Sequence, residues 1–316
     1  MKKLLGVVVM TSFMLFASAC GNKALDAANA AATAYNTAAE TFNEHAEPYN
    51  EAVEKITEAN DKLQAEIDAC QEVINKGEEA FDPTTLENLK TAMSDAADGK
   101  TAVPDELTIY ETMTVPEKAS KTELEELTAK LTSDTETMNG FSFPEIPEVP
   151  DYSEKMDVLS EARQIYEDSI QSLKQVTAPT DEFVIERIQT VDTITMIAPV
   201  TEDHDPNGQL NKQGGYIGCV YFRDSQVDQS KLYISGDPND VVEIGTDGGG
   251  AVEVFRTAEE AQARDAYLAS FDGTMLTSGS HYVKGTCIIR TSDQLNGTQQ
   301  LELTDKITQA LTRVEH

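Results

Sequence analysis

The stretch Thr201 to Leu210, TEDHDPNGQL, crowds carboxylates, an imidazole and a carboxamide into one short segment. Asp203, Asp205 and Asn207 stand at alternate positions and Gly208 follows, which is the order of oxygen ligands and turn glycine in the first half of a calcium loop. The second half departs from that pattern. Position twelve, where a bidentate Glu would close the shell, is Gly214, and Pro199 and the pair Gly214-Gly215 deny the loop its flanking helices. Pro206 and Asn207-Gly208 are also ordinary turn chemistry. Three readings stay open: a structural turn, a weak calcium site on Asp203, Asp205 and Asn207 completed from elsewhere, and a site for another metal that includes His204.

Other chemistry is thinner. GTDGGGAVEVF from Gly245 is glycine-rich, but a phosphate loop leads into a helix whose N–H groups hold the anion, and here a strand pattern follows. Ser280 and His281 are adjacent on an expected strand, so they point to opposite faces. The sequence contains no Gly-x-Ser-x-Gly, His-Glu-x-x-His or Cys-x-x-Cys. Setting Cys20 apart, Cys70, Cys219 and Cys287 make an odd number; Cys219 and Cys287 fall in two expected strands, either as a disulfide or as small buried thiols. The expectation is a protein that is not an enzyme and holds no cofactor, calcium being the one candidate.

The first residues, MKKLLGVVVMTSFMLFASAC, set Lys2 and Lys3 before an apolar run from Leu4 to Phe16 and small residues up to Cys20. That is the order of an export signal over residues 1–19, too short to span a bilayer as a stable helix. Ala17-Ser18-Ala19 suits ordinary signal peptidase. It also resembles the lipobox of bacterial lipoproteins, in which the cysteine becomes the lipidated N-terminus, although Ala17 stands where Leu is commonest. Ordinary secretion gives no reason for a cysteine at the first mature position, so Cys20 is read as the lipidation site. Diacylation supplies the two chains that durable anchoring needs. The location expected is the extracytoplasmic face of a bacterial membrane.

The 316 residues carry 24 Lys and Arg against 56 Asp and Glu, a formal net charge of −32. Phosphate backbones need clustered cations, so nucleic acid is excluded as a partner. Such acidity attracts metal ions or basic proteins.

These residues need elements to hold them. From Leu25 to Ile74, apolar or small residues return at alternating steps of three and four, a heptad seam that predicts one long helix. Candidate partners follow: helices opening at Asp82-Pro83, at Ser120 and at Asp151 to Ser153. Their combined length predicts an antiparallel helical bundle, a coiled-coil-like stalk over residues 20–178, in a monomer. Proline at every third position from Pro144 to Pro150 predicts an extended connector near residues 141–150, a rigid spacer or a ligand for a proline-reading domain. Beyond TAPT at Thr177 to Thr180 the pattern changes to a helix, two strands, a helix from Thr257, a strand over Tyr282 to Thr291 and a closing helix. That order predicts a small α+β sandwich over residues 179–316 with helices on one face, compatible with a ferredoxin-like topology.

The strings VTEDHDPNGQLNKQGGY, GGGAVEVFRTAEEAQARDAYL, SGSHYVKGTCIIRTS and QQLELTDKITQAL resemble the C-terminal domain of uncharacterised Gram-positive surface lipoproteins, from about Asp181 to His316. The resemblance implies a surface location and carries no activity. The functional expectation is a lipid-anchored envelope protein whose helical stalk presents an α+β domain to an envelope or extracellular protein. A calcium-dependent or solute-binding lipoprotein is the alternative, and a cell-envelope hydrolase or its accessory a third.

Overall fold

The computed structural model describes residues 23–232, 237–274 and 279–316; residues 1–19, read above as an export signal, and Cys20 lie outside them. The chain is a mixture of helix and sheet, with the elements α1 (Lys23–Asn75), α2 (Thr84–Asp98), α3 (Lys121–Asn139), α4 (Ser153–Gln175), α5 (Asp181–Ile188), β1 (Ile194–Pro199), β2 (Gly218–Asp224), α6 (Val241–Ile244), β3 (Gly249–Val254), α7 (Ala258–Ala269), β4 (Ser280–Lys284), β5 (Cys287–Thr291) and α8 (Gly297–Thr312). No described helix is long and apolar enough to cross a membrane.

The heptad seam does form one helix, α1, and buries Ala28, Ala32, Tyr35, Ala39, Phe42, Ala46, Tyr49, Val53 and Ile56 in turn. Pro48 lies within it without ending it; proline removes one backbone donor, and the seam continues on either side. Ser120 caps α3 in a capping box with Glu123, as its sequence predicts.

The chain divides into two compact units, and the division does not fall near residue 179. One unit comprises residues 23–62 and 100–152, the other residues 63–99 and 153–316. The physical reason lies at the end of α4. Val176 belongs to the core under the sheet, its carbonyl accepts from Thr286 N, and Ser172 Oγ donates to Thr312 O. Helix α4 is thereby built into the sheet's own core, with α2 packed beside it.

In the first unit the expectation of helices covering a helix holds only in part. Leu131 and Met138 of α3 pack on α1 between Ala32 and Ala46. Further along, α1 is lined by residues 101–115, an extended segment here called the strap, and by the equally extended connector 140–152.

In the second unit five strands form one antiparallel sheet in the order β1-β2-β3-β5-β4. Two differences from the expected order have local causes. The run Tyr282 to Thr291 is a hairpin, because Gly285 takes a φ of +60° as the first of two central turn residues, the conformation a type II′ turn requires. Edge strand β1, ITMIAP, ends in Pro199 and is half-buried, so it lacks the apolar alternation of a core strand. Helices cover both faces, not one. Val220, Phe222, Val252 and Ile289 meet α5 and α8, while Cys219, Tyr221, Ala251 and Ile288 meet α6 and α7. The run β3-α7-β4-β5, with β5 paired between β3 and β4, is a split β-α-β unit. The strand that would follow α8 in the ferredoxin-like order is absent among the described residues.

Candidate functional site

The loop after β1 folds back on itself. Thr201 and His204 exchange backbone hydrogen bonds, and Gly208, at φ +60°, closes a turn onto Asp205 O. Asp205 then serves the loop: Oδ2 accepts from Leu210 N at 2.7 Å and Oδ1 from Tyr216 OH at 2.7 Å. Burial opposes its ionisation, yet these donors outweigh burial and hold its carboxyl below the usual range. Asn207 Nδ2 donates to Tyr221 OH at 2.8 Å. Burial, then the hydrogen bond to Asp205, raises the Tyr216 phenol. Asp203 stays on the surface, and His204 Nε2 lies 3.2 Å from Glu243 Oε1 and 3.5 Å from Asp240 Oδ2.

Asp203, Asp205 and Asn207 are thus not gathered around one point: Asp205 turns onto Tyr216, just before β2, and Asn207 onto Tyr221 within it. Among the described residues no three His, Cys, Asp or Glu converge as a metal shell. Asp205→Asn is expected to lower the unfolding free energy by about 1–3 kcal/mol, since an amide would set its own donor against Leu210 N–H or Tyr216 OH. The loss should be equal with and without millimolar calcium in thermal melts. A calcium-dependent rise of the wild-type melting temperature, absent in the variant, would make the loop a metal site.

Beside this loop the sheet holds a buried charge cluster. Glu253 of β3 has no exposed surface; Arg264 of α7 grips it with Nε at 2.9 Å and Nη2 at 3.1 Å, and Arg290 of β5 adds Nη1 at 2.8 Å. Burial alone would raise the Glu253 carboxyl, but the two guanidinium groups more than offset it and the carboxylate is held low. Arg264 also lies over the Tyr267 ring, 5.5 Å from its centroid, at the wall of a cleft of about 480 Å³ that Asn207, Gln209, Glu260 and Tyr267 line.

The remaining candidates resolve into packing. His281 Nδ1 lies 2.6 Å from Asp265 Oδ1 and its Nε2 3.4 Å from Asp272 Oδ1, while Ser280 Oγ turns to Thr291 Oγ1, so no Ser-His pair forms. The glycine run enters β3 directly, and Gly250 is there because a Cβ would stand 2.2 Å from Arg290 O. Cys219 and Cys287 do not pair. Strand β3 lies between theirs, Cys219 opposite Glu253 and Cys287 opposite Val254, and they face opposite sides of the sheet. All three described cysteines are free and buried, and burial pushes the Cys287 thiol up to about 12. Such thiols are poor nucleophiles.

Asp181, at the start of α5, is a different case. Its Oδ1 is buried with no hydrogen-bond partner among the described residues and faces Gly218, where a Cβ would come within 2.4 Å. Burial, and secondarily Glu182, push this carboxyl up to about 6. Its folded value lies above the unfolded one near 3.9. The folded state therefore holds the proton longer, and ionisation removes stability as pH rises from about 4 through 6. Asp181→Asn should raise stability at pH 7.5 by about 1 kcal/mol, after allowing for solvent screening of its exposed part. At pH 4 the two proteins should melt together; an equal shift at both pH values would refute the assignment.

The arrangement that sequence reasoning missed is in the first unit. Asn36 donates Nδ2 to Met113 O at 2.9 Å and accepts from Met113 N at 2.7 Å. Asn43 does the same with Tyr110, at 2.8 and 2.9 Å, and Asn50 with Leu107, at 2.8 and 2.7 Å. Each carboxamide offers one donor and one acceptor, so it pairs with a backbone as a neighbouring strand would. Seven helical residues rise about 10.5 Å, and three residues of extended chain cover about 9–10 Å. Every heptad of α1 therefore meets every third residue of the strap. The signal lies in the sequence as a repeat, Tyr35-Asn36, Phe42-Asn43 and Tyr49-Asn50, whose ring enters the core while its asparagine holds the strap. Asn60, on the same seam, donates to Thr101 O and accepts from Tyr152 OH.

Comparison with protein-family models, curated proteins and solved structures finds no match to this chain. The resemblance of residues 181–316 to Gram-positive surface lipoproteins stands on the sequence alone.

Proposed function

We propose that the chain is a lipid-anchored, non-catalytic protein of the extracytoplasmic envelope face, in which a helical region carries an α+β domain and offers a surface to another protein. One observation carries the interaction reading. Of the twelve exposed large apolar side chains among the described residues, six lie on the strap and connector of the first unit: Val103, Ile109, Phe141, Phe143, Ile146 and Val149. Apolar exposure concentrated in this way marks binding surfaces. The polar groups of the sheet domain support the non-catalytic part, since Glu253, Asp205 and His281 are each engaged by neighbouring side chains. Anchoring rests on Cys20 and the residues before it. Cells expressing the chain and fed labelled palmitate should label the wild type and not Cys20→Ser; an unlabelled wild type in the culture medium would overturn the anchor.

A second reading, solute binding, has the cleft beside Arg264 in its favour. The ring of Tyr267 is 57% exposed there, among the polar side chains of Asn207, Gln209 and Glu260, and its volume falls in the range of small-molecule sites. Saturable binding of a small molecule that Tyr267→Ala abolishes would favour it.

A further inference from the structure

The strap and the connector are pinned to α1 at the same two levels. At one, Phe42 meets Tyr110, Phe141 and Phe143, with ring centroids 4.8 to 5.1 Å apart. At the other, Asn60 holds Thr101 O and Tyr152 OH, and Thr101 N donates to that same hydroxyl. The eighteen helical residues between the pins span about 27 Å. Nine residues of polyproline II, the separation of Thr101 from Tyr110 and of Phe143 from Tyr152, span about 28 Å. Both segments are therefore drawn nearly straight between their pins.

A three-residue period follows in both. In the strap Thr101, Pro104, Leu107, Tyr110 and Met113 turn inward and the residues between them are exposed. The connector repeats apolar, proline, acid three times: Phe143-Pro144-Glu145, Ile146-Pro147-Glu148 and Val149-Pro150-Asp151. With three residues per turn each type forms its own row. Pro147 and Pro150 are half-buried, while Ile146 is 58% and Val149 39% exposed; Val103 and Ile109 of the strap are 46% and 45% exposed. Every charged residue of the two segments is acidic: Asp105, Glu106, Glu111, Glu145, Glu148 and Asp151.

We infer that this apolar stripe, Val103, Ile109, Phe143, Ile146 and Val149 with its acidic flanks, is the docking surface for a basic amphipathic segment of another protein. The inference rests on reading the chain as an interaction protein and names the partner's chemistry. The apolar side chains supply area to bury, and the acids beside them, the connector's own row and Glu106 between Val103 and Ile109, select Lys and Arg. The same charges exclude the other occupants. A second copy brings its own net charge of −32, and anionic headgroups are repelled. Because the pins hold both segments straight before a partner arrives, little conformational freedom is lost on docking.

The test uses the detergent-solubilised full chain and two fluorescein-labelled peptides of equal length and composition. One arranges Leu and Lys as an amphipathic helix, and the other is scrambled to destroy that face. The amphipathic peptide should bind at least tenfold more tightly than the scrambled one. Val103→Ser, Ile109→Ser, Ile146→Ser and Val149→Ser together should weaken it by a further tenfold or more, because apolar area is lost with no charge altered. Glu145→Gln with Glu148→Gln should flatten its salt dependence. These positions are exposed, so the melting temperature should stay unchanged and the loss can be read as binding. Equal affinity for both peptides, or undiminished binding by the serine variant, overturns the inference. So does a dimer that the serine variant disperses, or binding to phosphatidylglycerol vesicles that it abolishes. Palmitate labelling is unaffected by any of these outcomes, and turnover of a substrate would sink the non-catalytic reading while leaving the peptide result standing.

Discussion

Glu253→Gln should destabilise the sheet domain by about 3–5 kcal/mol, a fall in melting temperature of roughly 10 °C for a unit of this size. The substitution keeps shape and removes one charge. What remains is Arg290, almost fully buried on β5, and the largely buried Arg264, with no carboxylate between them. The expected loss reflects two guanidinium groups deprived of the carboxylate they share more than the worth of the ion pairs, so replacing all three residues with apolar ones of similar volume should restore much of it. The pH dependence supplies a second reading. Glu253 has a folded pKa depressed below its unfolded value near 4.3. Its contribution is therefore complete above that value and is lost as pH falls through the lower, folded one. Urea unfolding between pH 3 and pH 7 should show a steep acid loss in the wild type and a flatter one in the variant. Parallel curves, or a single-charge loss below 1 kcal/mol, would mean that water reaches the cluster and the burial argument fails.

What the sequence displayed and what it hid follow one physical distinction. Local repeats were legible. The α1 seam announces itself because each buried residue recurs with the helical period, and Ser120 with Glu123 announces α3 because a capping box needs only four residues. Features that depend on residues far apart were not. Strand β1 is half-buried at a sheet edge and borrows its regularity from β2, and the second helical face of the sheet follows from Cys219, Tyr221 and Ile288 alternating against α7 on strands far apart in sequence. The oxygen-rich loop at Asp203 to Asn207 has the spacing of ligands, but Tyr216 and Tyr221, which compete for Asp205 and Asn207, lie beyond the spacing. The asparagine repeat stood in plain view on α1. Its partners are carbonyls and N–H groups, which every residue owns, so nothing in the composition of residues 101–115 advertised them.

That repeat supports the second large effect. Asn43→Ala removes a donor and an acceptor together and leaves Tyr110 N–H and C=O unpaired, for an expected loss of about 1–3 kcal/mol. Asn43→Asp should fall between the two proteins, because the carboxylate still accepts from Tyr110 N–H but offers nothing to its carbonyl. Removing Asn36, Asn43 and Asn50 together should not cost three times as much. The rungs hold one segment, so once two are gone the strap detaches and the third has little left to hold; the loss should level off at about 3–5 kcal/mol. Hydrogen exchange distinguishes this from general destabilisation. In the triple variant the amides of Leu107, Tyr110 and Met113 should exchange through local opening, while those of the sheet keep the protection of the wild type. If instead all amides lose protection together, the strap is part of one cooperative core and does not open by itself; if none does, the asparagines contribute no more than ordinary surface polar groups. If the strap opens and the sheet does not, the apolar stripe on its outer side depends on three carboxamides set seven residues apart, and its readiness for a partner is fixed by α1.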